Sequence, residues 1–190
     1  MAVLEVLIYV TLGCWIVFEV SLLVRDRRHG RGRIGADRGT VFVNALFVVE
    51  TVVVSGVLSA VLDVLAVPGA IWFRSVGLVI VWLGLALRIW AITTLGAAFR
   101  MTVEVDQAQS VVTGGPYRWA RHPSYTGLLL ITVGFGIAYA SWLFLALCAV
   151  LPFLALLRRI KVEESEMVRV LGEPYRDYSA KTKRLVPGIW

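Results

Sequence analysis

The chain is 190 residues long, 58% hydrophobic and only 17% charged, with a mean hydropathy of +0.78. So few charged residues could not cover the surface of a soluble globular protein, and we predict an integral membrane protein. The net charge of +6 would also suit nucleic acid. In a membrane chain, however, clustered arginines mark loops beside anionic lipid, so we expect no nucleic-acid partner. Two cysteines and two histidines, far apart in sequence, predict no metal site.

The first half of the chain predicts three membrane spans, each at least about 20 mostly apolar residues long. The spans cover residues 2–24, 40–62 and 71–95. The loop between the first two, residues 25–39, holds six arginines and two aspartates, which is typical of a cytoplasmic loop. The link of residues 63–69 contains Pro68 and neither Lys nor Arg, so we expect it on the opposite side.

The second half predicts a polar connection, a helical hairpin and an amphipathic helix. Residues 96–125 are too polar and glycine-containing to span a membrane. Two short apolar runs, residues 126–139 and 142–157, suit a tight hairpin that turns near Ala140 and Ser141. Beyond Leu157, charged and apolar residues alternate as in a cytoplasmic amphipathic helix, which Gly172 and Pro174 end.

The distribution of positive charge orients these spans. All but Arg74 and Arg88 of the 19 Lys and Arg residues fall in the first loop, the third loop or the C-terminal segment. Five spans put those three segments on the cytoplasmic side and the N-terminus outside. We therefore predict an all-α polytopic protein of one domain, residues 1–190, with three spans in 1–95. The arginine-rich, lysine-poor composition favours a bacterial inner membrane.

One motif stands at the start of the hairpin and another after it. The first is Gly115-Pro116-Tyr117-Arg118-Trp119-Ala120-Arg121-His122-Pro123-Ser124-Tyr125, and the second is Glu163-Glu164. A His-Pro dipeptide alone would be an ordinary helix cap, but the hairpin brings both motifs to the cytoplasmic face. The arrangement resembles the Arg-His-Pro-x-Tyr and Glu-Glu signature of isoprenylcysteine carboxyl methyltransferases and their phospholipid methyltransferase relatives. The resemblance covers roughly residues 114–187.

This resemblance implies S-adenosylmethionine as the cofactor, held within residues 96–190 between the loop and the amphipathic helix. It assigns cofactor contacts to Gly115, His122, Pro123, Ser124 and Tyr125 on the loop side and to Glu163 on the helix, and the Tyr117 backbone is also suitably located. The cofactor needs a carboxylate, hydrogen-bond donors and apolar packing, which these residues supply. Leu130 and Phe135 are further pocket positions by resemblance, although both fit lipid-facing or core residues equally well.

Three charged positions carry the expected chemistry. Arg159 and Glu163 lie four residues apart and so share a helix face; a surface ion pair is the plain alternative. By resemblance, Arg159 binds the acceptor carboxylate as a substrate-binding and catalytic residue. Glu164 is a second catalytic candidate, which either contacts a ligand itself or only supports the residues that do. Tyr175, Tyr178 and Arg184 either close over the cofactor or pack on the membrane surface.

The resemblance implies methyl transfer to a lipophilic acceptor among membrane lipids, most simply O-methylation of a carboxylate such as a prenylated cysteine. A carboxylate acceptor needs no general base, whereas an amine must lose a proton with help from Glu164 or a tyrosine. Three alternatives stay open: a phospholipid N-methyltransferase, an NADPH-dependent enzyme resembling sterol reductases, and a non-catalytic membrane scaffold. The Glu163-Glu164 pair argues against the reductase.

Overall fold

The computed structural model describes residues 2–28, 50, 67, 70–101 and 110–186, and over these ranges the protein is built of helices without a named strand. The helices with both ends in the described ranges are α1 (Ala2–Arg28), α2 (Ala70–Leu95), α3 (Pro123–Ala138), α4 (Trp142–Leu171) and α5 (Glu173–Lys181). Short 3-10 helices, Gly96–Ala98 and Gly115–Arg118, follow α2 and precede α3. The predicted all-α class is confirmed.

Three of these helices are long and apolar enough to cross a membrane: α1, α2 and α4. The α3 helix has 16 residues and is therefore only about 24 Å long, shorter than the hydrocarbon thickness of about 30 Å. Spans one and three are found where they were predicted. Predicted span two, residues 40–62, falls outside the described residues except for Glu50, as do most of the first loop and the 63–69 link.

The second arm of the predicted hairpin and the predicted amphipathic helix form one continuous helix, α4, whereas the first arm is α3. The turn lies at Tyr139 and Ala140, and Ala140 has a positive φ of 52°. From Trp142 the helix runs without interruption through the charged residues to Leu171, where Gly172 caps it with φ 63°. A 30-residue helix is about 45 Å long, so its charged half extends beyond the hydrocarbon layer.

Two Arg–Glu pairs join α1 to α2. Arg74 bonds to Glu5 at 2.6 Å, and Arg88 bonds to Glu19 at 2.6 Å and 2.8 Å. From the first pair to the second, the chain advances 14 residues in α1 and 14 residues in α2, which is about 21 Å along each helix. The helices α1 and α2 therefore run parallel, as the first and third spans of the predicted topology must.

Glycines bring α2 and α3 into close antiparallel contact. Gly77 and Gly84 are seven residues apart on α2, and Gly127 and Gly134 are seven apart on α3. A Cβ atom on Gly84 would lie 2.7 Å from the Gly127 carbonyl oxygen, so only glycine permits this approach. Small residues at a membrane helix interface allow backbones to pack this closely.

The apolar core of the helix bundle lies apart from the polar end of the bundle. Trp15, Phe135 and Leu156 are fully buried and join α1, α3 and α4 in one apolar cluster. At the site end, where α1 and α2 finish and α3 begins, the Met101 amide donates to Asp26 at 2.5 Å. This end receives the charged half of α4 and the α5 helix, and both sequence motifs lie there.

Candidate functional site

A cavity lies at the site end, between the end of α2, the start of α3, the charged half of α4 and α5. Its described lining includes both apolar and polar side chains. The lining comprises Arg88, Leu95, Ala98, Phe99, Arg100, Met101, Val111, Val112, Tyr117, Arg121, His122, Ser124, Tyr125, Arg159, Glu163, Met167, Leu171, Tyr175 and Tyr178. Elements far apart in sequence therefore form one wall.

Four predicted site residues meet on the wall of this cavity. The Tyr125 hydroxyl accepts a hydrogen bond from Arg159 Nε at 2.6 Å and donates one to Glu163. The His122 ring stacks on the Tyr125 ring, with centroids 5.3 Å apart and planes 7° apart. His122 Nδ1 also lies 4.0 Å from Glu163. The first turn of α3 thus fixes two charged side chains of α4.

Arg159 is buried, with 3% of the residue exposed, although it lies in the charged half of α4. Its Nη2 donates to the Met101 carbonyl oxygen at 2.6 Å, and its guanidinium carbon lies 5.4 Å from the centre of the Tyr125 ring. An exposed surface ion pair, the plain alternative from the sequence, does not describe this residue. Its chemistry suits a planar anion such as a carboxylate.

Glu164 points to a different face of α4 from Glu163 and does not line the cavity. Its Oε1 accepts from Arg121 Nε at 2.9 Å and lies 3.3 Å from His122 Nε2. Its Oε2 accepts from Arg184 Nε at 3.0 Å. In these contacts Glu164 supports the loop and the C-terminal segment.

The C-terminal segment is tied to the first motif by backbone and side-chain contacts. The Arg121 amide donates to the Lys183 carbonyl oxygen at 2.8 Å, and the His122 amide donates to the Arg184 carbonyl oxygen at 2.9 Å. The Arg121 side chain also donates to the carbonyl oxygens of Ser179 and Thr182. This packing holds α5 against the cavity.

Three tyrosines on the cavity wall keep their protons near neutral pH. Burial and the neighbouring Glu163 charge raise the pKa of Tyr117 well above its usual value, and burial does the same to the pKa of Tyr175. Burial also raises the pKa of Tyr178 to about 12, against the opposing effects of Thr182 and Arg121. The Tyr178 hydroxyl donates to the Tyr117 carbonyl oxygen at 2.7 Å. A protonated phenol can donate a hydrogen bond but cannot act as a base.

Arg88 is a cavity residue for which no functional role was predicted from the sequence. It is 2% exposed, forms a bidentate pair with Glu19 and donates to Ser124 Oγ at 2.8 Å. Trp15 Nε1 also donates to Glu19 at 3.1 Å. An arginine inside an apolar span was the available signal, because such residues are costly and usually paired. Through Ser124 the pair fixes the start of α3.

The remaining predicted residues lie around the cavity rather than on its described wall. Gly115 has a φ of 55°, and a Cβ atom there would lie 2.8 Å from Thr94 Oγ1. Pro123 is the first residue of α3. Phe135 is fully buried in the apolar core, and the half-buried Leu130 is also outside the lining. Their contact with a cofactor remains a prediction.

The donor set fits a charged organic cofactor better than a metal ion. The described lining contains one carboxylate, Glu163, four arginines and several aromatic or apolar side chains. Nowhere in the described ranges do three or more His, Cys, Asp or Glu residues cluster as a metal site. Ammonium, carboxylate and aromatic groups of one ligand would each find a partner here.

Comparison with known proteins identifies the family. A family model described as phospholipid methyltransferase matches residues 72–174, which include most of the cavity. The chain belongs to the phospholipid methyltransferase family. The family resemblance predicted from the two motifs is thereby confirmed.

Curated relatives of this family member carry a more specific name. The chain is 32% identical over 120 residues to a protein-S-isoprenylcysteine O-methyltransferase of Tribolium castaneum, covering 62% of this chain and 43% of that one. A Xenopus laevis enzyme of the same name is 32% identical over 131 residues, covering 62% of this chain and 42% of its own. Protein-S-isoprenylcysteine O-methyltransferase B of Arabidopsis thaliana is 30% identical, with 62% and 61% covered. The chain therefore spans less than half the length of the animal relatives.

A solved structure of the eukaryotic intramembrane Ras methyltransferase ICMT (isoprenylcysteine carboxyl methyltransferase) is similar in fold. The TM-score is 0.59 at 28% sequence identity, covering 78% of this chain and 52% of that chain. The phospholipid methyltransferase family member described here is accordingly an integral membrane protein, as its composition predicted.

Proposed function

We propose that the protein is a single-domain membrane methyltransferase that uses S-adenosylmethionine and methylates the carboxylate oxygen of a lipophilic acceptor, such as a prenylated cysteine. The observation that carries the proposal is that His122, Tyr125, Arg159 and Glu163 contact one another on the cavity wall. The names of the similar proteins support the same activity.

The cavity chemistry supports the cofactor. When bound, S-adenosylmethionine supplies a methyl group on a positively charged sulfur. Glu163 would bind its ammonium, since it is the carboxylate of the described lining, and the buried Tyr117 and Tyr175 would pack against apolar and aromatic parts. The motif residues Gly115, His122, Pro123 and Ser124 complete the proposed cofactor side.

The protein's own groups would align and desolvate the reaction. Arg159 would bind the acceptor carboxylate with its planar guanidinium, and Tyr125 would hold that guanidinium one helical turn from Glu163. Burial of the wall excludes water and strengthens these interactions. Because a carboxylate acceptor carries no proton, the site would need only positioning to work.

An amine acceptor, as in phospholipid N-methylation, is the second candidate because of the matched family description. Two features disfavour it. The described lining has one carboxylate, Glu163, which the cofactor ammonium would occupy, so no second carboxylate of that lining is left for an acceptor ammonium. The raised pKa values of Tyr117, Tyr175 and Tyr178 keep these phenols protonated near neutral pH, so they cannot take the proton from the amine.

We further propose that the site end faces the cytoplasm of a bacterial inner membrane, with the N-terminus outside. The parallel α1 and α2 helices and the arginine distribution support this orientation. The check is labelling of single cysteines in a background lacking Cys14 and Cys148. An impermeant reagent added outside should modify Asp63→Cys and spare Gly32→Cys; the reverse would put the site away from the cofactor.

The deciding experiment transfers labelled methyl groups from S-adenosylmethionine into a total lipid and prenyl-cysteine extract and identifies the product. A base-labile methyl ester supports the proposal, and a labelled head-group amine supports the second candidate. Thermal stabilisation of the purified protein by S-adenosylhomocysteine tests the cofactor separately. Stabilisation by NADPH alone would favour a reductase, and no response to either would favour a scaffold.

A further inference from the structure

Outside the cavity, two exposed tryptophans and two basic residues form a separate surface, the Trp90–Trp119 patch. Trp90 lies near the end of α2 and Trp119 follows the 3-10 helix Gly115–Arg118; their rings are 5.8 Å apart in an edge-to-face arrangement. Each is nearly half exposed, at 45% and 44%. Neither tryptophan lines the cavity.

The patch continues the lipid-facing surface of α2. The large apolar residues exposed along one face of this helix recur at helical spacing: Trp72, Val76, Val79, Leu83 and Trp90. Trp72 and Trp90 are 18 residues apart, which is five full turns and about 27 Å. That separation nearly equals the hydrocarbon thickness of about 30 Å, which fits Trp72 at one headgroup level and Trp90 with Trp119 at the other.

Two exposed basic residues lie near the tryptophans, Arg118 through its side chain and Lys183 through its backbone. The Arg118 guanidinium carbon lies 3.9 Å from the centre of the Trp119 ring. Lys183 is exposed and pairs through its backbone with Ala120, the residue after Trp119. In the part of the chain that the structure describes, neither Arg118 nor Lys183 forms an ion pair with a carboxylate. The patch thus offers positive charge beside interfacial aromatic rings.

We infer that the Trp90–Trp119 patch binds the headgroup of an anionic phospholipid, as a lipid site distinct from the cavity. The phosphate would contact Arg118 and Lys183 while the acyl chains follow the apolar face of α2. A zwitterionic headgroup would bring its own cation against these side chains, so the patch favours net negative lipids. The inference concerns lipid binding and holds whether or not the proposed methyl transfer is correct.

The test measures which lipid the full-length protein retains. Purified protein in detergent is incubated with equal phosphatidylglycerol and phosphatidylcholine, and bound lipid is identified by native mass spectrometry. The wild type should retain phosphatidylglycerol preferentially. Arg118→Gln with Lys183→Gln should lower that retention about fivefold or more, since each basic group near an anionic headgroup contributes roughly a fivefold factor.

Matched variants separate a site from general electrostatic attraction. Arg176→Gln with Lys181→Gln removes two exposed charges from α5, and it should leave the lipid preference within about twofold of the wild type. Arg118→Lys keeps the positive charge and should keep the preference, which separates the loss of charge from the loss of the arginine side chain. Equal losses in both double variants, or none in the first, would overturn the inference. Displacement of the lipid by inorganic phosphate at the same concentration would show that the site binds free phosphate, and it would overturn the assignment to a lipid headgroup.

Discussion

The charged half of α4 has two faces that use neighbouring glutamates differently. Glu163 faces the cavity and bonds to Tyr125, which also bonds to Arg159. Glu164 faces the C-terminal segment and bonds to Arg121 and Arg184. One step of about 100° around the helix therefore separates a group that faces the cavity from a group that holds the surrounding chain in place. Substitutions on the two faces should have separable effects.

The largest effect on cofactor binding is expected on the cavity face. Glu163→Gln removes the charge but keeps an oxygen that accepts from Tyr125, and His122→Ala removes the ring stacked on Tyr125. Each should weaken S-adenosylhomocysteine binding by about tenfold or more, the range for a lost hydrogen bond to a charged group. Calorimetric titration measures this, and expression in the membrane serves as the control. Unchanged affinity in both variants would remove these residues from the site.

Arg159→Lys should separate acceptor binding from cofactor binding. Lysine keeps the charge but loses the planar fork that contacts Tyr125 and Met101 and would bind a carboxylate. We expect methyl-transfer activity to fall about tenfold or more, while S-adenosylhomocysteine affinity stays within about twofold. The two quantities are measured on the same preparation. Full activity would refute the assigned role, and lost cofactor affinity would assign Arg159 to the cofactor side.

Glu164→Gln should act on stability more than on affinity. The substitution weakens ion pairs with Arg121 and Arg184, and the Glu164 side chain is only 14% exposed. Because Arg184 is 35% exposed, solvent screening limits the loss to about 1 to 2 kcal/mol in unfolding free energy. The thermal unfolding temperature without ligand should therefore fall, whereas cofactor affinity should change less than in Glu163→Gln. The opposite order would mean that Glu164 contacts the ligand.

The sequence predicted the elements of the fold better than it predicted their contacts. Hydropathy alone located α1, α2 and the α3–α4 turn, because a bilayer demands long apolar runs and tolerates few breaks. It did not show that the helix beyond Leu157 continues the preceding span. The charged half differs in polarity but not in helical propensity, so composition suggested a boundary where the backbone has none.

For the site, motif order predicted which residues would gather but not their geometry. His122, Tyr125, Arg159 and Glu163 do meet, whereas Phe135 packs in the apolar core. A phenylalanine on a helix satisfies a core or a pocket equally well, and only tertiary packing decides between them. Long-range pairs such as Arg88 with Glu19 could be suspected from their cost in a membrane, but not assigned to each other.

The smallest effect is expected for Arg169→Gln, further along the same helix. Arg169 forms a bidentate pair with Glu166, three residues before it, much as Arg88 does with Glu19. The difference is solvent: the Arg169 side chain is 70% exposed, against 3% for Arg88. Water and salt screen the exposed pair, so its good geometry should contribute almost nothing measurable. Unfolding temperature, S-adenosylhomocysteine affinity and methyl transfer should all match the wild type. A clear loss in any of them would mean that the charge of α4, rather than the face on which each charge lies, governs the site, and the distinction between Glu163 and Glu164 would fail with it.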